Sequence, residues 1–396
     1  MTRPHAAIDG MGAEQELILR AAATRERREA ERARIGELAR AVEWRALTER
    51  LTHARLLPTL GPRIAELAGD EAPAELGETA SASVEACRRQ DALLLLMGEQ
   101  VIAALREHGI AAAALKGPGL GEELHGEAGR RLSSDIDLLV PAARLRDAVA
   151  VAAELGYERP TDPVGEDGLP LLHFAMPHGE LPAVELHWRI HWYEDRFAEE
   201  RLLPPSAADR DWRPEPVDRL VALLLYYARD GFTGMRQATD LAAWWDRFGA
   251  GLGDGELEAR LAAYPQLRPA VSAAARVADR VVGLPSARLL NGSRLGSRGR
   301  VAVALADPRP YATMQQLYAE IALIDGLLTP RGGLGAYVSR QIVPSSEVIQ
   351  DHTEKALSAH MTSRAGYALR IIGRSALALG RLLRIPGTAA PRFERE

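Results

Sequence analysis

The chain has 396 residues, of which 47% are hydrophobic and 26% charged, and its formal net charge is −5. The length allows two or three domains, and the composition is typical of a folded globular protein. The acidic balance excludes a protein-wide field that attracts nucleic acid or anionic membrane. The single cysteine, Cys87, excludes an internal disulfide. The chain also lacks a signal-peptide pattern at its start and any run of about 18 apolar residues. We therefore expect a cytoplasmic protein without a transmembrane segment.

The first ninety residues are rich in Ala, Leu, Arg and Glu, and residues 23–50 carry apolar positions at helical spacing. A break that contains Gly, Pro and Ser is expected at 69–83, and another helix at about 86–108. Residues 1–92 are therefore interpreted as an N-terminal helical region.

The pattern changes at Gly109, where apolar runs become short and turn residues separate them. Strands are predicted at 110–115, 134–140, 171–176 and 183–190, and helices from the turn after 115 to about 125 and at 144–155. The order strand, helix, strand, helix, strand, strand predicts a small α/β core at residues 93–195.

Beyond Pro214 the chain returns to helical patterns. Helices are predicted at 217–229, 235–248, 256–282, 311–328 and 360–383, and a loop rich in Gly, Ser and Arg at 284–300. Residues 196–396 are interpreted as a C-terminal helical domain. The predicted fold class of the whole chain is α+β, with a small mixed β-sheet core flanked by N-terminal and C-terminal helical regions.

Two carboxylates occupy alternate positions in the strand predicted at 134–140. Asp135 and Asp137 face the same side of such a strand, and its aliphatic residues face the other side. A divalent cation relieves the repulsion between adjacent carboxylates, and oxygen ligands suit Mg²⁺ or Mn²⁺. A solvated strand edge is the alternative explanation of this pair.

A third carboxylate, Glu185, shares one face of the strand predicted at 183–190 with His187 and Arg189. If this strand lies beside the Asp135 strand, Glu185 joins the same cluster, as two-metal phosphoryl transfer requires. His187 would then orient Glu185 or the substrate. A strand with one solvated face is the alternative.

Lys116 and Gly117 stand between a predicted strand and a predicted helix. Glycine at such a turn lets the backbone approach a phosphate, the helix N-terminus favours negative charge, and Lys116 adds a positive charge. The spacing differs from a Walker A motif, and a plain tight turn is the alternative.

Together these segments resemble the uncharacterised nucleotidyltransferase family of the DNA polymerase β-like superfamily. The resemblance rests on four segments in this order: Leu115-Lys116-Gly117, the ten residues RLSSDIDLLV at 131–140, Gly156-Tyr157, and VELHW at 184–188. Weaker similarity extends over roughly residues 40–355. The family resemblance implies that Asp135 and Asp137 bind the Mg²⁺ ions that hold a nucleoside triphosphate, while Glu185 coordinates the catalytic metal or takes a proton from the acceptor hydroxyl.

The same resemblance implies nucleotide-binding roles for Lys116, Gly117, Arg131 and Ser134. Gly117 would lie beneath the phosphates, and Arg131 would neutralise developing phosphate charge. One departure from the superfamily is Pro118, which stands where a small hydroxylated residue, commonly Ser, follows the glycine. Proline has no N–H, so one phosphate donor is missing.

The leading hypothesis is a Mg²⁺-dependent transfer of a nucleoside monophosphate from an NTP to an acceptor, with release of pyrophosphate. The acceptor is a small molecule, a peptide or a protein, and the acidic net charge disfavours nucleic acid. Asp240 precedes an apolar helix face and could reach the cleft or serve as a polar anchor. The helical flanks could form a homodimer interface.

Two other functions compete with this hypothesis. A nucleotide-binding or scaffold protein without turnover is the alternative that Pro118 and the large helical flanks favour. A metal-dependent glycosyltransferase also uses Asp-x-Asp, but there the aliphatic strand usually precedes the acids. Here Leu138, Leu139 and Val140 follow them, and this order favours the nucleotidyltransferase.

Overall fold

The computed structural model describes residues 12–159, 173–191, 193–194, 196–306 and 314–330, together with the single residues 333, 373, 376 and 380. Nearly all of the helix predicted at 360–383 lies outside the described residues.

Within the described residues, six α-helices precede the sheet. They are α1 (Ala13–Ala21), α2 (Arg25–Ala30), α3 (Arg32–Ala41), α4 (Trp44–His53), α5 (Leu57–Ala68) and α6 (Ala74–Glu107), with a 3₁₀ turn at Gly69–Glu71 between the last two. The break predicted at 69–83 is therefore wrong beyond residue 73, because α6 is one 34-residue helix. Leu76, Ala80 and Val84 are buried at a spacing of four residues, so packing along one face stabilises a segment whose composition alone favours a loop.

The sheet is small and mixed. Its strands are β1 (Ala113–Ala114), β2 (Ile136–Leu139), β3 (His173–His178) and β4 (Leu181–His187), with α7 (Pro118–His125) after β1, a 3₁₀ turn at Ala142–Arg144, and α8 (Leu145–Glu154) after β2. The strand order is β1-β2-β4-β3, in which β2 and β4 are parallel and the two outer pairs are antiparallel. A parallel pair needs a crossover connection, and α8 lies within it. The predicted α+β class with a small mixed sheet is confirmed.

Helices again follow the sheet. They are α9 (Phe197–Leu202), α10 (Pro216–Arg229), α11 (Met235–Phe248), α12 (Glu256–Ala263), α13 (Arg268–Val282), α14 (Ser286–Leu289), α15 (Ser297–Leu305) and α16 (Met314–Leu328), with 3₁₀ turns at Gly249–Gly251 and Pro265–Leu267. The single helix predicted at 256–282 is two helices, because Pro265 cannot continue α12. The loop predicted at 284–300 contains α14 and the first turn of α15.

Two hydrophobic cores meet at the sheet. Leu138 and Leu186 belong to the core between the sheet, α8 and the second half of α6. Leu139, on the opposite face of β2, belongs to the larger core of α1, α5, α10, α11 and α13. Asp137 shares the face of Leu139 because side chains two apart on a strand point the same way. The carboxylates therefore lie where the sheet faces the helical core.

The domain boundaries at 92/93 and 195/196 stay a prediction, and α6 continues without interruption across residues 92 and 93.

In the part of the chain that the structure describes, no helix combines the length and the apolar character needed to cross a bilayer.

Candidate active site

The register of the two central strands sets the acidic residues side by side. Asp137 of β2 pairs with Glu185 of β4, and Leu139 pairs with His187. In a parallel pair, residues in register point to the same face, so Glu185 and His187 lie on the same face as Asp137. The observed pairing thus meets the condition under which Glu185 joins the acidic residues of β2, namely that the two strands are neighbours.

Three donor groups come together on this face. One ligand atom each from Asp137, Glu185 and His187 lies within 4.8 Å of the others. His187 Nε2 is 2.8 Å from Asp137 Oδ1 and 3.4 Å from Glu185 Oε2. Asp135 is not part of this group; it precedes the first residue of β2 and is half-buried. The group thus adds His187 to the predicted Asp137 and Glu185, and metal binding by Asp135 stays a prediction.

Lys116 and His187 both contact the buried Asp137. Lys116 Nζ donates to Asp137 Oδ1 at 2.9 Å, and the same oxygen faces His187. Burial opposes ionisation, but the hydrogen bonds from His187 and Lys116 hold the pKa of Asp137 well below its usual range. Asp137 is therefore an anion, and the charge of Lys116 lies 2.9 Å from its Oδ1.

Asp135 has the opposite electrostatic environment. Burial first, and then the charges of Asp137 and Glu185, raise the pKa of this carboxyl. A divalent cation bound among these three carboxylates would relieve their mutual repulsion and stabilise their ionised forms. The donor set of two carboxylates, one imidazole and a nearby third carboxylate fits such an ion, with the carboxylates suited to Mg²⁺ or Mn²⁺.

The loop before α7 approaches the same face. Leu115 N donates to the carbonyl of Asp137 at 3.0 Å, which continues the pairing of β1 with β2 and places Lys116 beside Asp137. Gly117 caps α7 with φ 92° and ψ −155°, a conformation that is essentially restricted to glycine. Pro118 is the first helical residue, a position where the missing N–H costs the helix nothing. The predicted turn from strand to helix is present, and phosphate binding there stays a prediction.

Arg131 is buried rather than open to a ligand. Its Nε donates to Asp240 Oδ2 at 3.0 Å, its Nη1 donates to Ser133 Oγ at 3.3 Å, and the residue is 5% exposed. Asp240, which is 2% exposed, also lies 3.6 Å from His125 Nε2. Burial would raise the pKa of Asp240, but Arg131 and then His125 lower it. This ion pair ties α11 to the segment before β2, whereas Ser134 is exposed to solvent.

Sequence reasoning missed two residues at the site. The ring of Tyr226 in α10 lies under Lys116, with Nζ 4.7 Å from the ring centroid. Arg236 in α11 lowers the pKa of Asp135 by its charge, and its Nη1 donates to the carbonyl of Leu132 at 3.2 Å. Tyr226 lies in an apolar helical run and Arg236 in an ordinary amphipathic one. No local sequence pattern distinguishes Tyr226 from an ordinary core residue, or Arg236 from an ordinary surface residue.

Comparison with known proteins adds one positive finding. Residues 40–283 match the model of a family described as uncharacterised nucleotidyltransferase. Neither the curated proteins nor the solved structures include a match to this chain. The matched region covers more than half of the chain and contains the loop at Gly117, the sheet, the acidic group and Asp240. The chain therefore belongs to the uncharacterised nucleotidyltransferase family.

Proposed function

We propose that the protein is a nucleotidyltransferase that depends on Mg²⁺ or Mn²⁺ and moves a nucleoside monophosphate from an NTP to an acceptor. The observation that carries this proposal is the register that sets Asp137 beside Glu185, in a chain that belongs to a nucleotidyltransferase family. Pyrophosphate is the second product.

The acidic residues have distinct roles in this proposal. Asp135, Asp137 and Glu185 would hold the cation, and His187 would fix Asp137 and Glu185 in place. A bound divalent cation would neutralise phosphate charge and orient the triphosphate. The acceptor hydroxyl forms a bond to the α-phosphorus, the bond to pyrophosphate breaks, and Glu185 takes the hydroxyl proton.

The surrounding residues bind and position the donor. Lys116 would exchange its contact with Asp137 for the triphosphate, and the open backbone at Gly117 lets a phosphate approach because nothing lies within 4 Å of its missing Cβ. Exposed Ser134 can donate its hydroxyl to the nucleotide. Arg131 acts at a distance, through the segment that it anchors to Asp240.

A catalytically inactive nucleotide-binding or scaffold protein is the second candidate. The observation that favours it is the ion pair between Lys116 and Asp137, since this lysine supplies internally part of the positive charge that a metal would bring. Pro118 also removes one N–H donor from the start of α7. This candidate predicts nucleotide binding without pyrophosphate release.

For the acceptor we propose a hydroxyl-bearing small molecule, peptide or protein, because the net charge of −5 disfavours a nucleic acid. A cytoplasmic setting accords with the single cysteine. A homodimer through the helical flanks is part of the same proposal.

Calorimetric titration of ATP and GTP, with and without Mg²⁺ or Mn²⁺, tests the site. The test variant is Asp135→Asn/Asp137→Asn, and Asp147→Asn is the matched control because Asp147 is an exposed acid of α8 paired with Arg144. We expect metal-dependent binding in the wild type and the control, and none in the folded double variant. Equal binding by the double variant would contradict the site assignment. Pyrophosphate release on addition of candidate acceptors then separates transfer from the inactive alternative.

A further inference from the structure

A cavity of about 300 Å³ lies between α2, α5, α11 and the C-terminal end of α7. Its charged lining consists of Arg25, Arg28, Arg63, Arg130 and Arg247, opposed by Asp246, and we call it the arginine cavity. Five guanidinium groups against one carboxylate leave four positive charges in excess. Like charges at this density repel one another, and an anion bound among them would offset the repulsion.

The single carboxylate is already engaged. Asp246 Oδ1 accepts from the backbone N–H of Arg25 at 2.8 Å, and Oδ2 accepts from Arg28 at 3.3 Å. Both oxygens of Asp246 are therefore committed to α2. Neither oxygen of Asp246 forms a hydrogen bond with the other three arginines of the cavity.

Those arginines have little countercharge within the described residues. Arg130 lies 3.9 Å from Glu127, at the limit of an ion pair. Among the residues that the structure describes, no carboxylate lies within 4.0 Å of the side chains of Arg63 or Arg247. Arg63 Nη1 donates to the carbonyl of Ala21 at 3.2 Å, which carries no net charge. Burial and then the neighbouring Arg28 lower the pKa of Arg63 to about 10, and the opposing charges of Asp246 and Glu66 offset this only in part.

The arginine cavity is separate from the acidic site. Gly117 caps the N-terminus of α7, whereas His125, its last residue, lines the cavity. Eight residues at about 1.5 Å each separate the two ends of the helix by about 12 Å. Between them, Asp240 contacts both His125 and Arg131.

We propose that the arginine cavity binds a small phosphorylated molecule, with a diphosphate group as the recognised chemistry. Guanidinium groups bind phosphate oxygens in a bidentate manner, and several of them match the charge of a diphosphate. The volume lies at the lower end of small-molecule sites. This inference does not depend on the proposed transfer reaction.

The test is calorimetric titration of inorganic pyrophosphate into the full chain at low ionic strength, with EDTA to remove divalent cations from the acidic site. Inorganic phosphate and a short single-stranded RNA are the comparison ligands. The variants are Arg63→Gln, Arg130→Gln and Arg247→Gln. Arg247 is exposed to solvent, so Arg247→Gln is the cavity variant least expected to disturb folding. Arg45→Gln, on an arginine 87% exposed in α4, is the matched control, and Lys116→Ala reports on the acidic site.

We expect one pyrophosphate per chain, with affinity reduced about tenfold or more by each cavity variant, since each removes a charged hydrogen-bond donor. Arg45→Gln and Lys116→Ala should bind within about twofold of wild type. The inference is overturned if pyrophosphate does not bind, if folded Arg130→Gln and Arg247→Gln bind like wild type, or if only Lys116→Ala weakens binding. Tight binding of RNA with none of pyrophosphate would overturn it in favour of a nucleic-acid surface. Loss of Mg²⁺-dependent ATP binding alone would affect only the proposed transferase function.

Discussion

The substitution Asp240→Asn should destabilise the protein more than any other conservative change near the site. Asp240 and Arg131 are 2% and 5% exposed, and Asp240 Oδ2 accepts from Arg131 Nε at 3.0 Å. Removing the carboxylate charge leaves the guanidinium of Arg131 buried, with Ser133 Oγ as its other hydrogen-bond partner. Asparagine has nearly the volume of aspartate, so the change in charge dominates the effect.

The expected loss follows from the burial of this pair. Breaking a buried ion pair by removing one partner costs about 3–5 kcal/mol, because the remaining charge is uncompensated. The Asn oxygen can still accept one hydrogen bond, and Asp135 and Asp137 lie near enough to stabilise the charge of Arg131. We therefore expect about 3 kcal/mol, at the lower end of that range.

Urea unfolding followed by circular dichroism measures this loss, with Asp147→Asn as the matched control. Asp147 pairs with Arg144 at 2.7 Å, but both side chains are at least 40% exposed, so the same substitution should cost less than about 1 kcal/mol. The double variant Arg131→Met/Asp240→Leu should recover most of the stability, because apolar replacement of a buried pair is often neutral. A loss below about 1 kcal/mol for Asp240→Asn, or no recovery in the double variant, would refute the reasoning.

Three further predictions concern the site and the core. Glu185→Gln should lower pyrophosphate release at least about hundredfold in a coupled assay through loss of the base, and unchanged release would remove Glu185 from that role. Gly117→Ala should lower the free energy of unfolding in urea by about 1–3 kcal/mol, because alanine is strained at φ 92°. An added Cβ meets nothing within 4 Å, so the loss comes from the backbone and not from a steric clash. Gly119→Ala is the control, because Gly119 lies within α7 and an added Cβ there also meets nothing within 4 Å. This substitution should stabilise the protein by up to about 1 kcal/mol. Trp244→Ala should cost about 3–5 kcal/mol by the same method, because the indole is fully buried in the larger core; a cost near zero would contradict that packing.

The sequence carried much information about the sheet because its signal is local. Alternation of polar and apolar residues marks β2 and β4, and it assigns Asp137, Glu185 and His187 to specific faces. The glycine and proline after Lys116 likewise mark the turn into α7. These features depend only on neighbours within a few residues along the chain.

The helical boundaries were harder to predict. The segment from Ala74 to Ser83 contains Gly77, Ser81 and Ser83, which are poor helix formers, yet it forms the first turns of α6. Its apolar face is buried against α5, where a Cβ added at Gly61 would meet Ala80 Cβ at 2.8 Å. Close packing between distant segments thus overrode the local preference.

By itself the sequence determined the fold class, the acidic residues of β2 and β4, and the loop that precedes α7, because strand periodicity and turn chemistry are written in consecutive residues. Only the tertiary structure decided that β4 lies parallel beside β2, that His187 joins Asp137 and Glu185, and that Arg131 is buried against Asp240. Only the tertiary structure assembled the arginine cavity from four separate stretches of chain. The physical reason is that strand pairing, ion pairing and cavity lining depend on distances in space between residues far apart in the chain.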